Sequence, residues 1–311
     1  MRNRLTLMLL LSMLVNSAVA EELPYLLTVA AQGDVAMVDA MLQSGISADT
    51  SDADGITALM YAARKDQADT ALALLKRGAN VNARDKGGWT PLMFAAKKNH
   101  VATAKVLLAN GADVRARDNS GWSALGLAAS AGFYEMIDLL IRHGVDPNSK
   151  SDDGKSVLMY AAKNGDVQTI RILLDNGADT FLRDRHGATA LMYAAREGNL
   201  DVISALLERG ALVDAGDYQK WTALTWAVNK SQIEAARHLI KFGANVNHKD
   251  AQSTALLHLA VSNGDEKMVR LLLESGAKVK VRDQYGLTAY IYALKSRNAE
   301  IVKLIKDAGG N

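Results

Sequence analysis

Nine glycines stand at positions 45, 78, 111, 144, 177, 210, 243, 276 and 309, each 33 residues from the next. A period of that length, kept without insertion or deletion, calls for stacked supersecondary units rather than one irregular core. A second register runs in step with the first. Twenty-one residues before each glycine stands Pro24, Thr57, Thr90, Ser123, Ser156, Thr189, Thr222, Ala255 or Thr288. Hydroxyl residues cap helix N-termini and glycine suits the left-handed turn that ends a helix.

Residues 85–117 show the unit in full. Asp85 with Gly87 and Gly88 forms a turn cluster. Thr90 is placed to cap a helix, with Pro91 at the first helical position, where a missing N–H costs nothing. Leu92, Ala95 and Ala96 give an apolar face with small residues, so that neighbouring helices can approach closely. After a break near Asn99, a second helix carries Val106, Leu107 and Leu108 and stops at Gly111.

This order of turn, Thr-Pro-Leu start, Ala-Ala, Leu-Leu and closing Gly-Ala-Asp-Val resembles the ankyrin repeat family. Gly78-Ala79-Asn80-Val81-Asn82-Ala83 and Gly243-Ala244-Asn245-Val246-Asn247 match its loop closely. The resemblance implies an all-α solenoid of about nine repeats, with helix–turn–helix pairs joined by β-hairpin-like turns. The repeats fall at roughly 22–51, 52–84, 85–117, 118–150, 151–183, 184–216, 217–249, 250–282 and 283–311. The first is degenerate, with Pro24 at the cap position. The family's histidine survives only as His258; Met60, Met93, Met159 and Met192 replace it in four repeats. That exchange is expected to lose inter-repeat hydrogen bonds while filling the space. Charges on the last helix, among them Lys303, Lys306 and Asp307, suit a solvated end cap.

The first twenty residues read differently. Arg2 and Arg4 precede an apolar run from Leu5 to Val15, and Ala18-Val19-Ala20 is a small-x-small cleavage pattern. This is the layout of a signal peptide covering 1–20, with an apolar core too short for a membrane span. The expected destination is a bacterial periplasm, with a single repeat domain at 21–311 and no membrane insertion. No cysteine is present, so neither disulfides nor a lipobox enter the argument. Of 36 basic residues two lie in the leader, leaving 34 against 34 acidic ones. A balance of zero, with export, disfavours nucleic acid as partner.

A search for chemistry returns nothing. The six histidines (100, 143, 186, 238, 248 and 258) do not cluster at metal-ligand spacing. Gly154-Lys155-Ser156 ends like a phosphate loop, yet Ser149 stands where that motif requires glycine. Arg-Asp pairs such as Arg117-Asp118 and Arg183-Asp184 recur at one register and read as turn-capping aspartates beside solvated arginines. The expectation is no enzyme, no cofactor and no metal.

The family resemblance implies that partners meet the turn tips and first helices. Immediately before the cap stand Trp89, Trp122 and Trp221, and indoles are preferred interface anchors. Trp89 and Trp122 are expected about 10 Å apart if helices stack normally. Seven and eight residues after the cap come Arg64, Lys65, Lys97, Lys98, Lys163, Arg196 and Lys230. Four after it come Tyr61, Phe94, Tyr160 and Tyr193, and three residues on a helix place a cation beside each ring. These residues are the expected contact set. The alternatives stay open: the indoles pack on their own turns, and the aromatics are large versions of a core leucine. The expected function is non-enzymatic capture of another protein with an acidic surface by a chain that is monomeric when free. Inhibition of, or protection against, an exported toxin or hydrolase is the first form of it; a scaffold or folding aid for a periplasmic enzyme is the second.

Overall fold

The computed structural model describes residues 24–310, so the expected leader lies outside the described residues. Among the described residues eighteen helices follow one another in pairs. They are α1 Tyr25–Gln32 and α2 Val35–Gln43, α3 Ala58–Arg64 and α4 Ala68–Lys76, then α5 Pro91–Lys97 and α6 Val101–Ala109. Next come α7 Ala124–Ala131 and α8 Tyr134–Arg142, α9 Val157–Asn164 and α10 Val167–Asp175, α11 Ala190–Glu197 and α12 Leu200–Glu208. The series closes with α13 Ala223–Asn229 and α14 Ile233–Lys241, α15 Leu256–Ser262 and α16 Glu266–Glu274, α17 Ala289–Ser296 and α18 Ala299–Asp307. Between pairs the chain makes turns held by single antiparallel bridges, such as Arg117 with Ser123 and Arg282 with Thr288. The architecture is an all-α solenoid.

Two compact units divide the contacts. One holds residues up to Ala95 together with Ala102–Asp113; the other holds Ala96–Val101 and Val114–Asn311. Inside the second, the first helices α7, α9, α11 and α13 pack in order, as do the second helices α8, α10, α12 and α14. The alanines explain the spacing. Ala128, Ala129, Ala161, Ala162, Ala194 and Ala195 are fully buried, so first helices meet through small side chains while leucines and isoleucines of the second helices fill the layer behind.

The two registers of the sequence do the work their residue types imply. Thr57, Ser123, Ser156 and Thr222 each accept, through the side-chain oxygen, the backbone N–H three residues on, at 3.2–3.4 Å. All nine periodic glycines have positive φ, between 85° and 98°. Gly210 shows why: it follows α12, its N–H donates to Leu207 O, and Ala211 N–H donates to Leu206 O. That pair of bonds needs a left-handed residue, which costs a side-chain-bearing residue about 1 kcal/mol or more.

The methionines are not passive fillers. Sδ of Met60, Met159 and Met192 accepts the backbone N–H of Thr57, Ser156 and Thr189, each at 3.4 Å, and Thr225 Oγ1 does the same for Thr222. Sulfur thus closes a capping box that a histidine ring would otherwise occupy. At the same helical position His258 bonds the next repeat, Nε2 lying 3.1 Å from Leu287 O.

Candidate protein-binding surface

Most turn tips among the described residues hang on one carboxylate. Oδ1 of Asp217 accepts the backbone N–H groups of Gln219 and Trp221, both at 2.9 Å, and thereby shapes the turn. Its other oxygen accepts Trp226 Nε1–H from the first helix at 3.0 Å. The same arrangement recurs nine residues apart: the hydroxyls of Tyr61, Tyr193 and Tyr292 donate to Oδ2 of Asp52, Asp184 and Asp283 at 3.0, 2.7 and 2.6 Å. In the fifth repeat Ser151 takes the aspartate position, and Tyr160 bonds both it and Asp153. Where the eighth repeat has Leu259 and no donor, Trp221 Nε1–H reaches across to Asp250 Oδ2 at 3.3 Å. A charged acceptor with both oxygens engaged fixes tip against helix, at about 1.5–3 kcal/mol per such bond.

The tips are also tied to each other. Within the first unit Lys86 N–H donates to Asp54 O at 2.9 Å. Within the second, Tyr218 donates to His186 O, Ala251 to Gln219 O and Gln284 to Gln252 O, at 2.9–3.2 Å. Tyr218 lies so close over the Gly187 backbone that a Cβ there would meet its ring at 2.8 Å. The arginines read as solvated have a task as well. Arg117, Arg183 and Arg282 donate from Nη1 to the carbonyls of Gly121, Gly187 and Gly286 at 2.7–2.8 Å, clamping the tip from outside.

On this frame the expected contact residues fall as follows. In the first unit Trp89 is half-buried, its ring 5.2 Å from that of Phe94, which is half-buried too. Tyr61 is half-buried and tethered to Asp52, while Arg64 and Lys65 are exposed. In the second unit Lys97, Lys98, Lys163 and Lys230 are exposed and Arg196 is half-buried. Trp122 packs 4.9 Å from Tyr160 and Trp226 packs 5.8 Å from Tyr193, in each case a ring of the neighbouring repeat. Trp122 and Trp221 remain half-buried. Trp89 and Trp122 belong to different units. Each indole therefore uses one side for packing and keeps part of its surface in solvent.

Tyr193 corrects the expected set. It is 5% exposed, closed in by Trp226 and by its bond to Asp184, and so supports the surface instead of touching a partner. Burial first, and then the Asp184 carboxylate, push its hydroxyl far above the ordinary tyrosine value. The cation–ring pairs shift accordingly. Among the described residues only Lys295 stands over the ring three residues before it, Tyr292, at 5.9 Å. Arg196 passes over its own covered Tyr193 and lies 5.8 Å from the ring of Trp226 in the next repeat. Lys155, at the pre-cap position that holds tryptophan elsewhere, bridges the rings of Tyr160 and Tyr193 at 5.9 Å each. Burial of Asp153 works against its charge, but hydrogen bonds from Lys155, at 2.6 Å, and from Ser151 outweigh it and hold the carboxyl down to about 2.

Three exposed aromatic residues lie outside the expected contact set. Tyr218 and Tyr285, 69% and 74% exposed, sit on tips three or four residues before the cap. Phe181, 55% exposed, replaces the asparagine that elsewhere bonds the next loop, as Asn148 does to Gly177 O and Asp179 N. Among the described residues there is no group of three or more metal-ligating side chains, and no helix is long and apolar enough to cross a membrane.

Repeated hairpin tips, paired helices and a shared register of exposed residues have a counterpart among known families. The sequence matches the family described as ankyrin repeats (three copies) over residues 6–85, 26–118, 83–151, 125–217, 158–250, 208–283 and 251–311. The chain belongs to the ankyrin repeat family. No curated protein is similar enough to count as a relative. Ankyrin repeats are protein–protein interaction modules, and this chain carries them throughout.

Proposed function

We propose that this ankyrin repeat protein works in a bacterial periplasm as a non-enzymatic binder of another exported protein with an acidic surface. Its task is to inhibit or protect against that protein, a toxin or hydrolase. The observation that carries the reading is the pairing of exposed cations with indoles whose donors are already used. Trp221 and Trp226 spend their N–H groups on Asp250 and Asp217, so what they present outward is ring surface beside Arg196 and Lys230. Ring surface beside cationic side chains is complementary to apolar residues flanked by carboxylates. The tethered tips supply preorganisation, which lowers the ordering cost of association. An apolar stretch at 5–15 ahead of Ala18-Val19-Ala20 supports export.

The test begins with fractionation of the source cell and capture from periplasmic extract by the tagged chain, read by mass spectrometry. The reading requires a periplasmic chain and a captured toxin or hydrolase whose activity falls as the ankyrin protein is titrated in. Capture of an enzyme whose activity or folding yield rises instead makes the chain a scaffold or folding aid. A cytoplasmic chain overturns the proposal.

A further inference from the structure

The seventh repeat holds a cleft of about 220 Å³ lined by Arg196, Trp221, Trp226, Asn229 and Lys230. Its size sets the first limit. Pockets for drug-sized molecules run to about 300–1,000 Å³, so this one matches a single large side chain better than a large cofactor. Its chemistry sets the second. Both indole N–H groups are occupied by the carboxylates of Asp250 and Asp217, so the two indoles offer the cleft their apolar ring surface, beside the polar Asn229. The rim is cationic. Arg196 lies over Trp226, with only a loose exposed contact to Glu197 at 3.7 Å, and Lys230 is exposed and pairs with no carboxylate among the described residues. A basic ligand is repelled by the rim; an apolar side chain next to a carboxylate matches both the indole faces and the rim.

The cleft does not stand alone within its unit. Lys163 and Arg196 occupy one register position, seven residues after their caps in α9 and α11; Lys230 lies eight residues after its cap, just past the end of α13, and these first helices pack one on the next. Packed helices lie about 8–10 Å apart. A chain extended in the polyproline II form has three residues per turn and rises about 3.1 Å per residue, so every third side chain returns to the same face about 9 Å further on. A peptide with acidic residues at every third position therefore places one carboxylate near each cation. A terminal carboxylate supplies a single charge and meets one cation of the three.

We propose that the Trp221–Trp226 cleft is a subsite for one apolar side chain of an extended, acidic segment of a partner protein, whose carboxylates, spaced three residues apart, lie along Lys163, Arg196 and Lys230. The assignment rests on the protein-binding reading of this surface and gives the partner a chemistry.

The probe is a synthetic peptide, blocked at both ends, with glutamates at every third position and one phenylalanine beside the central glutamate. It is titrated into the full chain at low salt by calorimetry. Four companions share the assay: lysine in place of glutamate; the same residues with the glutamates consecutive; glutamine for glutamate with a free C-terminal carboxylate; and a helix-forming version with glutamates seven apart. The expected result is binding of the first peptide at least about tenfold tighter than all four, weakening steeply with salt. Arg196→Gln and Lys230→Glu each lower its affinity by about tenfold at unchanged helicity, and Trp221→Phe, which keeps an aromatic wall, lowers it less. Equal binding of the lysine peptide, of the consecutive-glutamate peptide, of the free-carboxylate peptide or of the helical peptide overturns the proposal, as does no binding at all. If the peptide fails while a captured periplasmic protein still binds the Lys230→Glu chain normally, this subsite falls and the protein-binding reading stands. If no protein binds the intact chain, the broader reading falls with it.

Discussion

Replacing Ala255 by threonine should stabilise the eighth repeat. Ala255 is the cap of α15 with no side chain to offer, and its backbone sits at φ −82° and ψ 157°, the extended conformation in which Thr57 and Thr222 cap their helices. Three residues on, His258 is 1% exposed, and its Nδ1 has no hydrogen-bond partner. Nε2 faces the carbonyl of Leu287, so Nε2 carries the proton and Nδ1 is an acceptor without a donor. A threonine hydroxyl at 255 accepts the backbone N–H of His258 and donates its own proton to Nδ1. Restoring a cap is worth about 0.5–2 kcal/mol, and satisfying a buried acceptor about 0.5–1.5 kcal/mol. Because the two share one hydroxyl, a total of about 1–3 kcal/mol is the reasonable range. Repeat arrays need not unfold as one unit, so hydrogen exchange of the α15 amides is the right assay. Exchange through local opening should slow by about 5- to 150-fold. In parallel, the new donor favours the neutral ring, so His258, already held below its ordinary value mainly by burial, should titrate lower still in an NMR titration. Unchanged or faster exchange of α15, with His258 titrating where it did before, would refute the reasoning.

Three further predictions follow from the tethers and the charges. Tyr193→Phe removes the hydroxyl from Asp184, which is itself only 4% exposed, and should cost about 1.5–3 kcal/mol of local stability, read as faster exchange at the sixth tip; an unchanged rate means the tether is idle. Asp153 is held at about 2 when folded against about 3.9 in an unfolded chain, so its contribution is complete above about pH 4 and lost as pH falls toward 2. NMR of Gly154 and Lys155 should show that tip loosening in this window, and an Asp153 midpoint near 4 contradicts the Lys155 pairing. Charge reversal of the exposed Lys97 and Lys98 together should slow association with the captured partner about tenfold or more at low salt, the difference vanishing near 1 M salt by stopped-flow kinetics.

What was legible in the sequence is what repeats locally. A hydroxyl that caps, a glycine that turns left and an alanine pair that admits a neighbour each act within a few residues, and the 33-residue period multiplied them until no other fold remained. The side-chain partnerships were less legible because they cross a turn or a repeat boundary. Asp217 and Trp226 are nine residues apart with a hairpin tip between them, and Trp221 meets Asp250 across 29. Pairing by helical spacing expected Arg196 beside Tyr193. It failed there because Tyr193 has both its ring and its hydroxyl engaged, which turns the guanidinium toward Trp226. It held at Lys295 and Tyr292. The methionines show the same limit: sulfur at the third helical position reads as filler in a sequence, and only the 3.4 Å approach of the cap N–H reveals an acceptor.

Hydrogen exchange with mass spectrometry, on the chain alone and in complex with its captured partner, addresses the binding surface most directly. Protection is predicted at the turn tips and first helices, around residues 152–164, 185–197 and 218–230, with α10, α12 and α14 unchanged. Protection confined to α10, α12 and α14, with the tips exchanging as before, would place the partner on the opposite helices and contradict the account.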